Sequence, residues 1–193
     1  MSARPLLVCL DLQRAFIEDG PMRAPNAAAA LLECGRLLSL ARREHWSIAH
    51  CYLRSSVGPV RIEAGSALPV HGFEPRSLET VIERDTLSAY GHAAFKSLVQ
   101  NAPFESALIA GLSASITFLA TAFDAFREGH RFVLAADALA GQGGFEASAS
   151  QHEAVARDVA AQLGFPTAPQ THKEAKTLRQ PAPPLVFQPG EKS

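Results

Sequence analysis

Residues Leu6–Leu10, LLVCL, form an apolar run without alternation that stops at Asp11. A strand covered on both faces reads this way, and such strands belong to parallel sheets wrapped by helices. The rest of the chain supplies the crossovers that a parallel sheet needs. Pro25-Asn26 opens an Ala/Leu-rich segment that runs to Glu44, with Asn26 placed as its N-cap. Ser47–Leu53 (SIAHCYL) reads as a second strand. The loop after it carries Gly58, Pro59, Gly65, Pro69, Gly72 and Pro75, and its length marks function rather than mere connection. Thr80–Arg84 (TVIER) is a weaker third strand and Gly91–Gln100 a short helix. Phe104–Ala110 (FESALIA) is a fourth strand, ended by Gly111.

Ile116, Leu119, Ala120, Phe123 and Phe126 fall on one face of an amphipathic helix, the pattern of a helix resting on a core, and Gly129 closes it. Arg131–Ala136 (RFVLAA) is a fifth strand ending at Asp137, and Ser148–Leu163 a last long helix. This alternation predicts an α/β fold of three α/β/α layers: a Rossmann-like parallel β-sheet of about six strands with helices on both faces. One domain is expected over residues 1–179. A proline-rich tail, 180–193, follows with no helical period. Its Leu185, Val186 and Phe187 form an apolar cluster that predicts packing across a subunit boundary.

Charge narrows the function classes. Lys plus Arg number 18 against 19 Asp plus Glu, a formal net charge of -1. That balance carries no electrostatic footprint for nucleic acid or an anionic membrane. No apolar run approaches the roughly 20 residues that cross a bilayer. The amino terminus meets Asp11 at the end of its first apolar stretch and has no small-residue cleavage site, so no signal peptide is expected and a cytoplasmic location is. Cys9, Cys34 and Cys51 form no C-x-x-C pair and read as buried, reduced thiols.

Sheets of this kind bind ligands beyond the carboxyl ends of their strands, where the strand order reverses. Asp11 ends the first strand, Arg84 ends the third, and the fourth runs into GLSASITFLATA, a helix start whose N–H groups favour negative charge. LLVCLDLQRAFI, GFEPRSLETVIERDTLSAYGHAAFKSL and GLSASITFLATAFDAFREGHRFVLAADALAG, in that order, resemble the isochorismatase-like hydrolases, or cysteine hydrolases, from about Leu6 to Gly164. The resemblance implies a triad of Asp, Lys and nucleophilic Cys. Asp11 falls on the Asp, Arg84 on the Lys and Thr117 on the Cys.

Two of those three positions are therefore substituted. A thiolate at a helix N-terminus beside a cation attacks amides readily, whereas an alcohol is a far weaker acid. Arginine holds its charge and does not exchange protons as lysine does. The resemblance leaves one route open: true isochorismatases and their phenazine-pathway relatives cleave a vinyl ether through the Asp as general acid, without the Cys. The expected enzyme is thus a hydrolase of a small metabolite, through a vinyl ether or a C–N bond, with Asp11 as general acid/base. The rival expectation is a catalytically silent homologue that binds a small molecule or a protein partner.

Arg84 is read either as a partner of Asp11 or as the holder of a substrate carboxylate. Thr117 is read as a nucleophile or as a small polar cap. Ser113, Phe16, Tyr90 and Gln13 are the expected substrate-binding residues, with Phe16 and Tyr90 equally readable as core. The resemblance also implies a cis peptide at Leu112-Ser113, which would aim the Ser113 N–H with that of Thr117 at one anion. His50 reads as a hydrogen-bonded core histidine. The metal-binding nicotinamidase branch needs Asp and His ligands after the second strand, where Leu53-Arg54-Ser55-Ser56 supplies neither, so no metal and no cofactor are expected. A homodimer or homotetramer is implied by the resemblance.

Overall fold

Strand β1 (Leu6–Leu10) is buried at every position because it lies in the middle of the sheet, between β2 (Ser47–Leu53) and β4 (Ser106–Gly111). The computed structural model describes residues 5–55, 60–100, 106–142 and 148–168. Six parallel strands run in the order β3-β2-β1-β4-β5-β6, with β3 at Thr80–Arg84, β5 at Arg131–Leu139 and β6 reduced to Thr167–Ala168. The chain builds outward from β1 to β3, then returns to lay β4 on the other side of β1. The reversal point is therefore the crevice beyond Leu10 and Gly111, where Asp11 emerges.

Alternation of side chains along β1 separates two apolar clusters. Leu7 and Cys9 pack with Ala30, Cys34, Leu38 and Ala41 of α1 (Ala27–Arg43). Leu6, Val8 and Leu10 pack with α2 (Ala93–Gln100), α3 (Leu119–Arg127) and α4 (Ala149–Gln162), through Phe95, Ala122, Ala125, Ala156 and Ala160. One helix thus covers one face and three cover the other. The long loop completes the single-helix face: Val70 and Phe73 enter its core, and Val70 N donates to Leu12 O at 2.9 Å while Arg14 N donates to Leu68 O at 2.9 Å.

Several local expectations change. The expected stripe splits: Ile116 and Leu119 lie partly buried against the two cores, whereas Phe123 and Phe126 point to solvent, 55% and 56% exposed. The buried face is instead Thr117, Phe118, Thr121, Ala122 and Ala125, mostly small residues that let α3 lie close to the strands. Strand β5 continues through Asp137 to Leu139, with an irregularity against Ile109 and Gly111. Asn26 does sit at the N-cap of α1, but its Nδ2 donates to Glu153 Oε1 at 3.3 Å rather than its oxygen capping the backbone. Helix α4 opens on a reciprocal capping box between Ser148 and Gln151. Phe104 and the whole tail, with its boundary at 179/180, lie outside the described residues. Among the described residues, no helix is long and apolar enough to cross a membrane.

Candidate active site

Asp11 occupies a left-handed backbone conformation, φ 53°, at the residue where β1 ends. Asp tolerates that region better than most residues, and strain of this kind persists where the surroundings enforce it. Its N–H donates to Cys51 O at 2.9 Å, which ties the turn to β2. Close approach of β4 is equally demanding: a Cβ at Gly111 would lie 1.9 Å from Leu10 O. Glycine at this position lets the two strands carry Asp11 and Ser113 to one place.

Three side chains meet there. Arg84, at the end of β3, donates from Nη2 to Asp11 Oδ1 at 2.6 Å. Thr117 Oγ1 donates to Asp11 Oδ2 at 2.6 Å and lies 3.2 Å from Ser113 O. Arg84 Nη1 donates to Thr86 O at 2.6 Å, and its Nε has no partner among the described residues. Asp11 and Thr117 have no exposed surface, and Arg84 is 2% exposed. Expected from chain positions 73 and 106 residues away from Asp11, both contacts are made.

Thr117 lies in a π-helical turn, Ala114–Phe118, that precedes α3. Turns of this type widen a helix by one residue and recur at functional sites. Ser113 Oγ accepts the Thr117 N–H at 3.4 Å and the Gln142 Nε2 hydrogen at 2.9 Å, while Ser115 Oγ donates to Gln142 Oε1 at 2.8 Å. His152 Nδ1 lies 2.5 Å from Gln142 O. The Leu112-Ser113 peptide is trans, which corrects the cis expectation; the turn is closed by side chains rather than by a nest of N–H groups.

The family model for the isochorismatase domain matches residues 5–167. The chain belongs to the isochorismatase family. Its fold is shared with an isochorismatase from Pseudomonas putida KT2440, at 23% identity over 88% of this chain and 89% of that one, TM-score 0.74. An isochorismatase family protein from Desulfovibrio vulgaris aligns at 21% identity over 91% and 98%, TM-score 0.76. N-carbamoylsarcosine amidase from Thermoplasma acidophilum aligns at 20% identity over 86% and 96%, TM-score 0.68. No curated protein matches the chain.

Within this isochorismatase-family domain the other expected residues scatter. Gln13 spends its amide on backbone, accepting from Leu53 N at 2.8 Å and donating to Leu53 O at 3.0 Å and Ala67 O at 2.9 Å. Phe16 packs in the α1-side core. Tyr90 packs in the opposite core, edge-on to Phe95, with its hydroxyl 2.8 Å from His130 Nδ1. His50 is a fully buried core histidine whose Nε2 meets Glu79 Oε2 at 2.8 Å, and Arg42 grips the same carboxylate through both oxygens. Among the described residues, no three His, Cys, Asp or Glu side chains are grouped to hold a metal ion.

Electrostatics separate the acid from the thiols. Burial raises the Asp11 carboxyl above its ordinary range, with the Arg84 charge and the Thr117 hydrogen bond pulling against it. Burial also pushes Cys34 and Cys51 up to about 12, and Cys9 well above the usual thiol value. All three cysteines are buried and free. The polar groups missed from the sequence are Gln142, in the Gly-rich stretch between β5 and α4, and Thr86, whose carbonyl rather than side chain meets Arg84. No residue-type pattern marks either.

Proposed function

We propose that this isochorismatase-family protein hydrolyses a small metabolite by proton transfer at Asp11, without a cysteine nucleophile. One observation carries the reading: a fully buried carboxyl at the sheet's reversal point, gripped at 2.6 Å by Arg84 on one oxygen and by Thr117 on the other. Burial raises its proton affinity, the direction that favours a general acid, while Arg84 and Thr117 oppose it. On a vinyl ether, Asp11 gives its proton to the enol carbon and water adds to the resulting oxocarbenium carbon. The hemiketal then splits to an alcohol and a ketone, returning the proton to the carboxylate. On a C–N substrate, the same carboxylate takes the hydroxyl proton of Thr117 or of water as the oxygen attacks the carbonyl, then gives that proton to the nitrogen as the C–N bond breaks; where Thr117 attacked, water afterwards cleaves the acyl ester and restores the hydroxyl. Arg84 holds the carboxylate in place, and its unpartnered Nε suits a substrate oxygen. The chain's own unit for this chemistry is the domain over residues 1–179, acting as a homo-oligomer in the cytoplasm.

Turnover of isochorismate, nicotinamide and an N-carbamoyl amine by the wild type, Asp11→Asn and Thr117→Val tests the reading. General acid/base work predicts a loss of roughly 10²–10⁴-fold in Asp11→Asn. Retention of activity in Thr117→Val assigns the vinyl-ether route, and its loss assigns the hydroxyl a role in attack. A second reading, a silent binder, is favoured by the full burial of the trio and by the occupation of both Asp11 oxygens. Ligand binding without turnover by the wild type would select it.

A further inference from the structure

Gln142 lies three residues beyond the end of β5, in a Gly-rich stretch, yet it is only 3% exposed. Burying a primary amide is unfavourable unless its hydrogen bonds are made. Here they are made to one short segment. Nε2 donates to Ser113 Oγ at 2.9 Å, and Oε1 accepts from Ser115 Oγ at 2.8 Å. The amide thus bridges the residue that caps the π-helical turn and a residue inside it. Ser113 Oγ also receives the Thr117 N–H at 3.4 Å, and Phe118 N donates to Ser113 O at 3.0 Å, the five-residue bond that widens this turn. With two donors on it, the Ser113 hydroxyl oxygen has no acceptor capacity left, and its side chain is held in one direction.

The rest of the molecule holds Gln142 itself. Ala140 N donates to Gly111 O at 3.0 Å and Ala114 N to Ala140 O at 3.0 Å, lacing the end of β5 to the segment after β4. Gly141 gives its N–H to Glu153 Oε1 at 3.2 Å, and a Cβ there would lie 3.2 Å from both Ala149 O and His152 Cβ. Glycine therefore lets α4 press against this segment, and His152 on α4 meets the Gln142 carbonyl at 2.5 Å. Glu153 is tied in turn to Asn26 at the start of α1. The amide is thus presented to the turn by a backbone that a strand and a helix both hold.

We propose that Gln142 is a positioning residue of the Asp11 site: by clamping Ser113 and Ser115 it holds the widened turn at the pitch that lays the Thr117 hydroxyl on Asp11 Oδ2. The inference rests on the proton-transfer reading of Asp11. Thr117 Oγ1 has two acceptors within reach, Asp11 Oδ2 at 2.6 Å and the Ser113 carbonyl at 3.2 Å. A threonine in a helix readily gives its proton back to the carbonyl four residues earlier. Relaxing the turn to an ordinary α-helical pitch changes the direction of Thr117 about the helix axis, while the bond to Ser113 O, internal to the helix, survives. Without the clamp the Thr117 proton therefore passes from Asp11 to the Ser113 carbonyl. Asp11 then loses one of the bonds that oppose its burial, and its carboxyl titrates higher.

Carbon-13 NMR of the Asp11 carboxyl, titrated in the full chain, reads the clamp without a substrate. The charge and the thiol beside Asp11, Arg84 and Cys51, sit on β3 and β2 and are untouched by the variants. Gln142→Met keeps the reach of the side chain and removes both hydrogen bonds. It should raise the Asp11 midpoint by at least half the rise seen in Thr117→Val, and add nothing in the Thr117→Val background. Where the wild type turns over isochorismate, nicotinamide or the N-carbamoyl amine, kcat should fall ~10²-fold in Gln142→Met with little change in KM, the cost of displacing a reacting group by about 1 Å. Ser113→Ala/Gln142→Met should then be no slower than Ser113→Ala. A clamp that served only folding would lower the melting temperature and leave the midpoint in place; that result overturns the proposal, as does a kcat loss additive with that of Ser113→Ala. A wild type that turns over none of the three substrates removes the proton-transfer reading and leaves the titration to decide the role of Gln142. Should Gln142→Met fail to fold, Ser115→Ala releases the same amide from one side at a half-buried residue, and an unmoved midpoint there overturns the proposal equally.

Discussion

Replacing Arg84 by methionine keeps the volume and the apolar stem but removes the cation from Asp11. Two hydrogen bonds of 2.6 Å go with it, one to the Asp11 carboxylate and one to Thr86 O. Bonds to charged groups contribute about 1.5–3 kcal/mol each, and stripping one member from a buried pair costs about 3–5 kcal/mol. For a chain of this length that is a fall in Tm of roughly 6–20 °C. The penalty must depend on pH, and its sign is fixed. Asp11 already has its folded pKa above its unfolded value through burial, and losing Arg84 raises it further. A carboxyl whose folded pKa is raised contributes stability that is complete below its unfolded value of about 3.9 and is lost as pH rises through the folded value. Arg84→Met is therefore least destabilised near pH 4 and increasingly so up to neutrality, with a limiting slope of about 1.4 kcal/mol per pH unit. Urea denaturation followed by circular dichroism, at pH steps from 4 to 8, measures the curve. The double variant Asp11→Asn/Arg84→Met removes both charges and should recover most of the loss, with a flat profile. A single-variant penalty below about 1 kcal/mol, or one that does not change with pH, would refute the idea that this pair is a desolvated ion pair.

Gly111→Ala places a Cβ 1.9 Å from the backbone oxygen of Leu10; a loss of about 3 kcal/mol or more in denaturant melts is expected, with weakened ligand binding because β1 and β4 must part. Glu79, held at a pKa of about 2 by Arg42, the Arg76 N–H and His50 despite partial burial, contributes stability that is present above its unfolded pKa and lost as pH falls toward 2. Glu79→Gln should flatten that acid limb and lower stability at neutral pH, as read by thermal melts in a pH series. Native Cys9, Cys34 and Cys51 should resist iodoacetamide at pH 8 and react quickly once urea unfolds the chain; rapid native labelling of any of them would contradict their burial and raised pKa values.

Order along the chain was enough to specify much of this molecule. Continuous apolar strands such as LLVCL cannot be hidden except in a sheet covered on both sides, so the parallel architecture follows from hydrophobicity and period alone. The same logic, with the family resemblance, put Asp11 and Arg84 at the ends of two strands and Thr117 in the helix start that follows a third, and the fold brings those three together. Periodicity failed on α3. It detects that an apolar stripe exists but not which way the stripe points. Here the side facing the sheet carries Thr117, Phe118, Thr121, Ala122 and Ala125, whose small members let the helix lie close around the one buried ring of Phe118. Gln13, Phe16 and Tyr90 sit close to site motifs in the chain, yet backbone carbonyls and two cores on opposite sides of the sheet claim them. Gln142 had no local signal at all. A hydrogen bond between residues 29 apart exists only once β5 has been laid beside β4, and a sequence records neither the distance nor the direction of that approach.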